Sequence, residues 1–154
     1  MLIVGCGDVG RRLARRAVAR GETVTGVVRQ ETSVRTLREL GVDGAAVDLD
    51  RPIQASPNGW RDPKVFYLAP PPASGTRDPR MSHFLAGLPR ISGRRIVYVS
   101  TTGVYGDCAG QWVDEQRPPD PRVDRARRRH DAELQLAEWR RAGHGETIVL
   151  RVAG

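Results

Sequence analysis

The chain opens with a short apolar run, Leu2-Ile3-Val4, that passes directly into Gly5-Cys6-Gly7-Asp8-Val9-Gly10. This order of a strand, a glycine-rich turn and a helix narrows the choice of fold more than any other feature. Gly5 suits a turn that an L side chain would strain, Gly7 lets the backbone be approached closely, and Gly10 lets the helix lie against the strand it has just left. The first turn of such a helix has unpaired amides and a partial positive charge, which together suit an anion such as a pyrophosphate. Gly5, Gly7, Asp8, Val9 and Gly10 are therefore the first candidate binding residues.

The rest of the sequence alternates strand and helix patterns. Strands are predicted over residues 2–4, 23–28, 44–47, 64–68, 95–99 and 146–152, with helices over 9–20, 33–40, 79–88 and 122–141. The first helix spaces Val9, Leu13, Ala17 and Val18 along one side, and glycines at 21, 41 and 143 mark helix ends. Residues 51–63 are rich in proline and polar groups and hold at most a short helix, while Pro70, Pro71 and Pro72 halt any element after the fourth strand. Such alternation predicts an α/β fold. Connection rules make it a doubly wound parallel sheet of Rossmann type, about six strands in the order 3-2-1-4-5-6, with helices on both faces.

Composition removes several alternatives. The length of 154 residues suits one domain, and no apolar run approaches a membrane span. The net charge of +7 raises nucleic acid as a partner, but 24 of the 25 basic residues are Arg, spread along the chain, with Lys64 the one exception. That pattern matches the coding bias of a GC-rich genome and solvated Arg faces, so nucleic-acid binding is not expected. Cys6 and Cys108 form neither a disulfide framework nor a metal cluster, and His83, His130 and His144 lack ligand spacing and are predicted at the surface. No metal site is expected. With no basic leader before the first strand, the protein is expected in the cytoplasm.

If the glycines hold a pyrophosphate, the adenosine ribose lies near the end of the second strand. An NAD site commonly places an acid there, about 20 residues past the glycines. This chain has Arg29, whose planar guanidinium suits a 2′-phosphate and so favours NADP, with NAD as the alternative; a surface Arg at a strand end is the other reading. Asp48, after the third strand, is placed either to meet the adenine edge or to form a turn. Ala69 and Pro70, after the fourth, are small enough to leave room at the middle of a dinucleotide.

The fifth strand and its continuation, Ile96-Val97-Tyr98-Val99-Ser100-Thr101-Thr102-Gly103-Val104-Tyr105-Gly106, resemble a segment of the extended short-chain dehydrogenases/reductases, the group that includes NAD(P)-dependent epimerases and dehydratases. Asp48-Leu49-Asp50, Asp131-Ala132-Glu133 and Leu150-Arg151-Val152 extend the resemblance over the whole chain. It implies that Thr101 contacts the reacting hydroxyl or carbonyl oxygen. It also implies an acid/base Tyr four residues before a Lys, but those positions fall on Arg125 and Arg129, and an Arg is too basic to donate a proton usefully. The usual pair is missing, as in atypical members of the family. Arg129 is left as a holder of the cofactor ribose or phosphates, and Tyr105 as a substitute acid.

The resemblance also implies a longer chain. Members of the family continue into a substrate-binding domain, so residues 1–154 are expected to be the NAD(P)-binding domain alone. The expected function is an NADP-binding oxidoreductase or epimerase acting on a nucleotide-sugar-like or small carbonyl substrate; the alternative is a non-catalytic dinucleotide-binding sensor or regulatory module. Expected partners are the dinucleotide, an unidentified small substrate and a second copy in a homodimer, with no membrane.

Overall fold

The computed structural model describes residues 1–54 and 60–153. Its core strand, β1 (Leu2–Val4), is fully enclosed, each of its three residues having no measurable exposure. The chain then runs through α1 (Asp8–Val18), β2 (Thr25–Val28), α2 (Glu31–Glu39) and β3 (Asp43–Ala46). A long connection crosses to β4 (Lys64–Tyr67), followed by α3 (Pro79–Gly87), β5 (Arg95–Thr101), a 3-10 turn (Thr102–Tyr105), α4 (Asp124–Arg141) and β6 (Glu146–Val152). All strand pairs are parallel and the order is β3-β2-β1-β4-β5-β6. The predicted doubly wound α/β fold is the observed one.

Strand alternation divides the interior into two cores. Ile3 faces a cluster with Cys6, Ala14, Ala17, Val24, Leu37 and Val42, beneath α1 and α2. Leu2 and Val4 face the opposite way, into a cluster with Tyr67, Met81, Phe84, Ile96, Tyr98, Ala132 and Leu136, beneath α3 and α4. Right-handed crossovers require this division, because the direction of travel across the sheet reverses between β3 and β4. Each large apolar side chain buried in this way contributes about 1.5–3 kcal/mol. The sheet is covered unevenly. On β6, Ile148, Leu150 and Val152 are 42%, 46% and 47% exposed, on the face that α1 and α2 cover farther along the sheet.

Local signals explain most boundaries. Asp78 caps α3 by accepting a hydrogen bond from Met81 N–H, and Pro79 takes the first helical position, where its missing donor costs nothing. Asp124 opens α4 and Arg140 and Arg141 close it, each opposite in sign to the helix dipole it meets. Gly21, Gly41 and Gly143 follow α1, α2 and α4 as predicted.

Several expectations change. The first helix begins at Asp8, and the side it presents to the sheet is Gly10, Ala14 and Ala17. The apolar spacing puts Val9 on the buried side, yet it is 65% exposed; the small residues let the helix lie close, which leaves Val9 off the contact line. The fifth strand runs two residues farther than predicted, to Thr101, and a 3-10 turn follows it where the sequence predicts loop. The histidines are partly exposed, and His83 Nδ1 lies 2.8 Å from the Leu49 carbonyl. Of the segment 51–63, residues 55–59 lie outside the described residues, and the described remainder is not helical.

Candidate functional site

The C-terminal ends of the four strands β1 to β4 converge where the strand order reverses, the place where open α/β sheets form ligand crevices. A cleft of about 200 Å³ lies there. Gly5 forms its floor. Val27, Val28 and Arg29 line it from the end of β2, Val47, Asp48, Leu49 and Asp50 from the stretch after β3, Ala69 and Pro70 from the end of β4, and Arg80 from α3. Its wall is mainly apolar with a charged rim. The volume is below the roughly 300–1,000 Å³ of pockets that enclose a drug-sized ligand, so it encloses only part of a ligand of that size.

The three glycines of the turn differ in what surrounds them. Gly5 has φ +80°, and a Cβ there would stand 2.4 Å from Ala69 N and 2.5 Å from Ala69 Cα, so both conformation and space demand glycine. Gly10 is packed face to face: a Cβ would meet Gly5 O and Ile3 Cγ2 at 3.2 Å and Cys6 Sγ at 3.3 Å. Gly7 is the opposite case, with nothing within 4 Å of where its Cβ would be. Crowding explains Gly5 and Gly10. It does not explain Gly7, whose open side is free for a ligand.

Gly7 also caps α1 without a side chain. The first bond of the helix runs from Arg11 N–H to Gly7 O at 2.8 Å, which leaves the amides of Asp8, Val9 and Gly10 with no acceptor inside the helix. A Ser or Asp cap would claim one of these amides. A glycine cap leaves them for an anion. The Asp8 carboxylate is drawn along the helix surface toward Arg12, 3.1 Å away.

The rim carries two arginines and two aspartates. Arg80 makes a two-pronged contact with Asp50 (Nε to Oδ1 2.6 Å, Nη2 to Oδ2 2.9 Å) and donates to the Pro70 carbonyl at 2.9 Å. This guanidinium holds the Asp50 carboxyl below the usual carboxylate range. Arg29 reaches the same carboxylate, Nη2 to Asp50 Oδ2 at 3.2 Å, and lies 3.9 Å from Asp48. Asp48 also accepts the Asp50 N–H at 3.1 Å and faces Arg51 at 3.8 Å. It therefore makes the turn that the sequence left as one option, while still lining the cleft.

Thr101, Tyr105 and Arg129 do not line this cleft. They gather around the end of β5. Thr101 ends the strand, and its hydroxyl accepts from Gly103 N–H at 3.1 Å. Arg129, on α4, donates to the Val99 carbonyl at 2.9 Å and to the Tyr98 hydroxyl at 3.4 Å. Tyr105 is buried, with the Arg151 guanidinium 4.7 Å from its ring centroid. Arg151 in turn forks onto Glu133 (Nη2 to Oε2 2.7 Å), which also accepts from the Ser100 hydroxyl. Burial pushes the Tyr98 phenol up to about 12.

Sequence reasoning missed Arg80 and gave Asp50 no role of its own. Asp50 had a local signal, two residues after Asp48. Arg80 had none, because its contact with Asp50 spans 30 residues of chain. Among the described residues no cluster of His, Cys, Asp and Glu could hold a metal, and no helix is long and apolar enough to cross a membrane.

Residues 1–53 match the TrkA-N domain family. No curated protein matches the chain. Among solved structures, a functionally unknown conserved protein from Silicibacter pomeroyi is 28% identical, with TM-score 0.79 over 99% of this chain and 51% of that one. The UDP-glucuronic acid 4-epimerase from Bacillus cereus, solved with NAD, is 17% identical, with TM-score 0.77 over 99% of this chain and 56% of its own. A short-chain dehydrogenase/reductase superfamily protein from Agrobacterium tumefaciens with bound NAD is 18% identical, with TM-score 0.72 over 97% and 48%. The chain thus spans about half the length of the solved proteins it resembles.

Proposed function

We propose that residues 1–154 are the nicotinamide-dinucleotide-binding domain of an oxidoreductase or epimerase of the extended short-chain dehydrogenase/reductase type. In this reading the domain favours NADP and serves a nucleotide-sugar-like or small carbonyl substrate. The observation that carries the proposal is the contrast within the turn: of Gly5, Gly7 and Gly10, Gly7 is the open one, above three helix amides that no cap has claimed. The neighbours solved with NAD support the cofactor class, and Arg29 at the rim supports NADP.

The residues present fit such a group. The amides of Asp8, Val9 and Gly10 would take the pyrophosphate over Gly7, with Gly5 as the floor. Asp48 would meet the adenine edge and Arg29 the 2′-phosphate, while Ala69 and Pro70 leave room for the middle of the molecule. A bound nicotinamide dinucleotide would supply hydride exchange with a substrate carbon. Arg129, fixed on the Val99 carbonyl, would hold the nicotinamide ribose. Thr101, which accepts from Gly103, keeps its own proton to donate to a substrate oxygen. Tyr105 stands close by in the chain as the substitute acid, although its burial beneath Arg151 suits support of the Thr101 turn better than proton exchange.

Calorimetric titration with NADP⁺ and NAD⁺ tests the reading. Saturable binding of both, tighter for NADP⁺, is the expected result, with the preference lost in Arg29→Ala. No binding of either overturns the dinucleotide site. A preference for NAD⁺ that Arg29→Ala leaves unchanged overturns the NADP assignment alone.

A further inference from the structure

Asp50 is shared between two arginines that differ in freedom. Arg80 projects from α3, is 16% exposed, and is held at both ends, by the Asp50 fork and by the Pro70 carbonyl. Arg29 stands at the end of β2, is 67% exposed, and touches Asp50 through a single nitrogen. Only Arg29 is free to turn away. We infer that Asp50 is a specificity-determining residue of the cleft: it holds Arg29 in an ion pair that a phosphate on the adenosine ribose must replace, and Arg80 sets how firmly it holds. The inference rests on the dinucleotide reading above.

The geometry makes the exchange feasible. When Arg29 leaves, Asp50 keeps the Arg80 fork, and Asp48 keeps the Asp50 N–H and Arg51. Neither carboxylate is stranded. A phosphate offers Arg29 more charge and a better-matched set of oxygens than a carboxylate already engaged by another guanidinium. A ligand without that phosphate leaves the pair intact. Asp50 therefore opposes phosphate-bearing ligands selectively, and the opposition is small, because water screens an exposed pair.

Two arginine–aspartate contacts at one carboxylate give opposite signs on mutation. Asp50→Asn frees Arg29, whereas Arg80→Met leaves Asp50 to Arg29 alone and tightens that pair. The experiment measures affinity for 2′,5′-ADP against 5′-ADP in the wild type, Asp50→Asn and Arg80→Met, each also in an Arg29→Ala background. The ratio of affinities in favour of 2′,5′-ADP is expected to rise about two- to fivefold in Asp50→Asn and to fall by a similar factor in Arg80→Met. In the Arg29→Ala background neither change should move the ratio. A shift of equal size that persists without Arg29 would reduce Asp50 to a source of local field and overturn the inference, as would an unmoved ratio in Asp50→Asn. Should Arg80→Met fail to fold, Asp50→Asn with and without Arg29 decides the matter. A wild type that binds neither nucleotide overturns the dinucleotide reading and this inference together; measurable binding with an unmoved ratio overturns this inference only.

Discussion

The site has two ends, built on different principles. At the rim of the cleft, beyond β2 and β3, Arg29, Asp48 and Asp50 are partly or largely exposed and share partners at the surface. At the end of β5, Ser100, Glu133, Arg151 and Tyr105 form a largely buried chain of contacts, with Glu133 7% exposed and Arg151 20%. The first arrangement gives up contacts at little cost, because water already screens them. The second cannot, because a buried carboxylate that loses its cation keeps the desolvation penalty. The exposed pairs at the rim are suited to yield to a ligand, and the Ser100–Glu133–Arg151 network to hold the frame beside it.

That contrast is open to direct tests. The largest effect is expected at the floor of the cleft. Gly5→Ala forces a Cβ onto Ala69 backbone at φ +80°, and should destabilise the protein by about 3 kcal/mol or more, read by denaturant unfolding. Gly7→Ala, with open space around it, should leave stability within about 0.5 kcal/mol and instead weaken dinucleotide binding. Equal losses of stability in the two variants would erase the distinction between fold glycine and ligand glycine.

Next comes the enclosed network. Glu133→Ala should cost about 2–4 kcal/mol, since it strands Arg151 and Ser100 together. A loss below about 0.5 kcal/mol would place that network in the same class as the surface pairs. Arg29→Ala is the matching test at the rim. It should leave the unfolding midpoint nearly unmoved while cutting NADP⁺ affinity about tenfold relative to NAD⁺.

The smallest effect concerns acid pH. Asp78 is fully buried, and one of its carboxylate oxygens lacks a hydrogen-bond partner. Burial pushes its carboxyl above the usual range. Just above the unfolded value of about 3.9, the folded state therefore binds more protons, and this group makes stability fall as pH rises. Asp50 has the reverse sign: its depressed carboxyl contributes stability above the unfolded value, and that contribution is lost as pH falls through the folded one. Asp78→Asn retains an acceptor for the α3 cap and should flatten the part of the acid profile due to Asp78. Parallel profiles for the variant and wild type would show that Asp78 does not titrate there.

The sequence alone determined the sheet. Leu2-Ile3-Val4 followed by three spaced glycines, and the alternation of apolar runs with helix-ending glycines, are local patterns with local causes, and they led to the observed strand order. They also led to the residues at the strand ends, because those positions follow from topology. Tertiary structure decided what surrounds each glycine, since a Cβ collision between Gly5 and Ala69 depends on two strands brought together from distant parts of the chain. It placed Arg80 on Asp50, a contact that no spacing encodes. It also separated Thr101, Tyr105 and Arg129 from the cleft that holds Arg29 and Asp48. Backbone pattern is a short-range property and can be read along a chain; which charges share a carboxylate is a long-range one, settled only when helices and strands have packed.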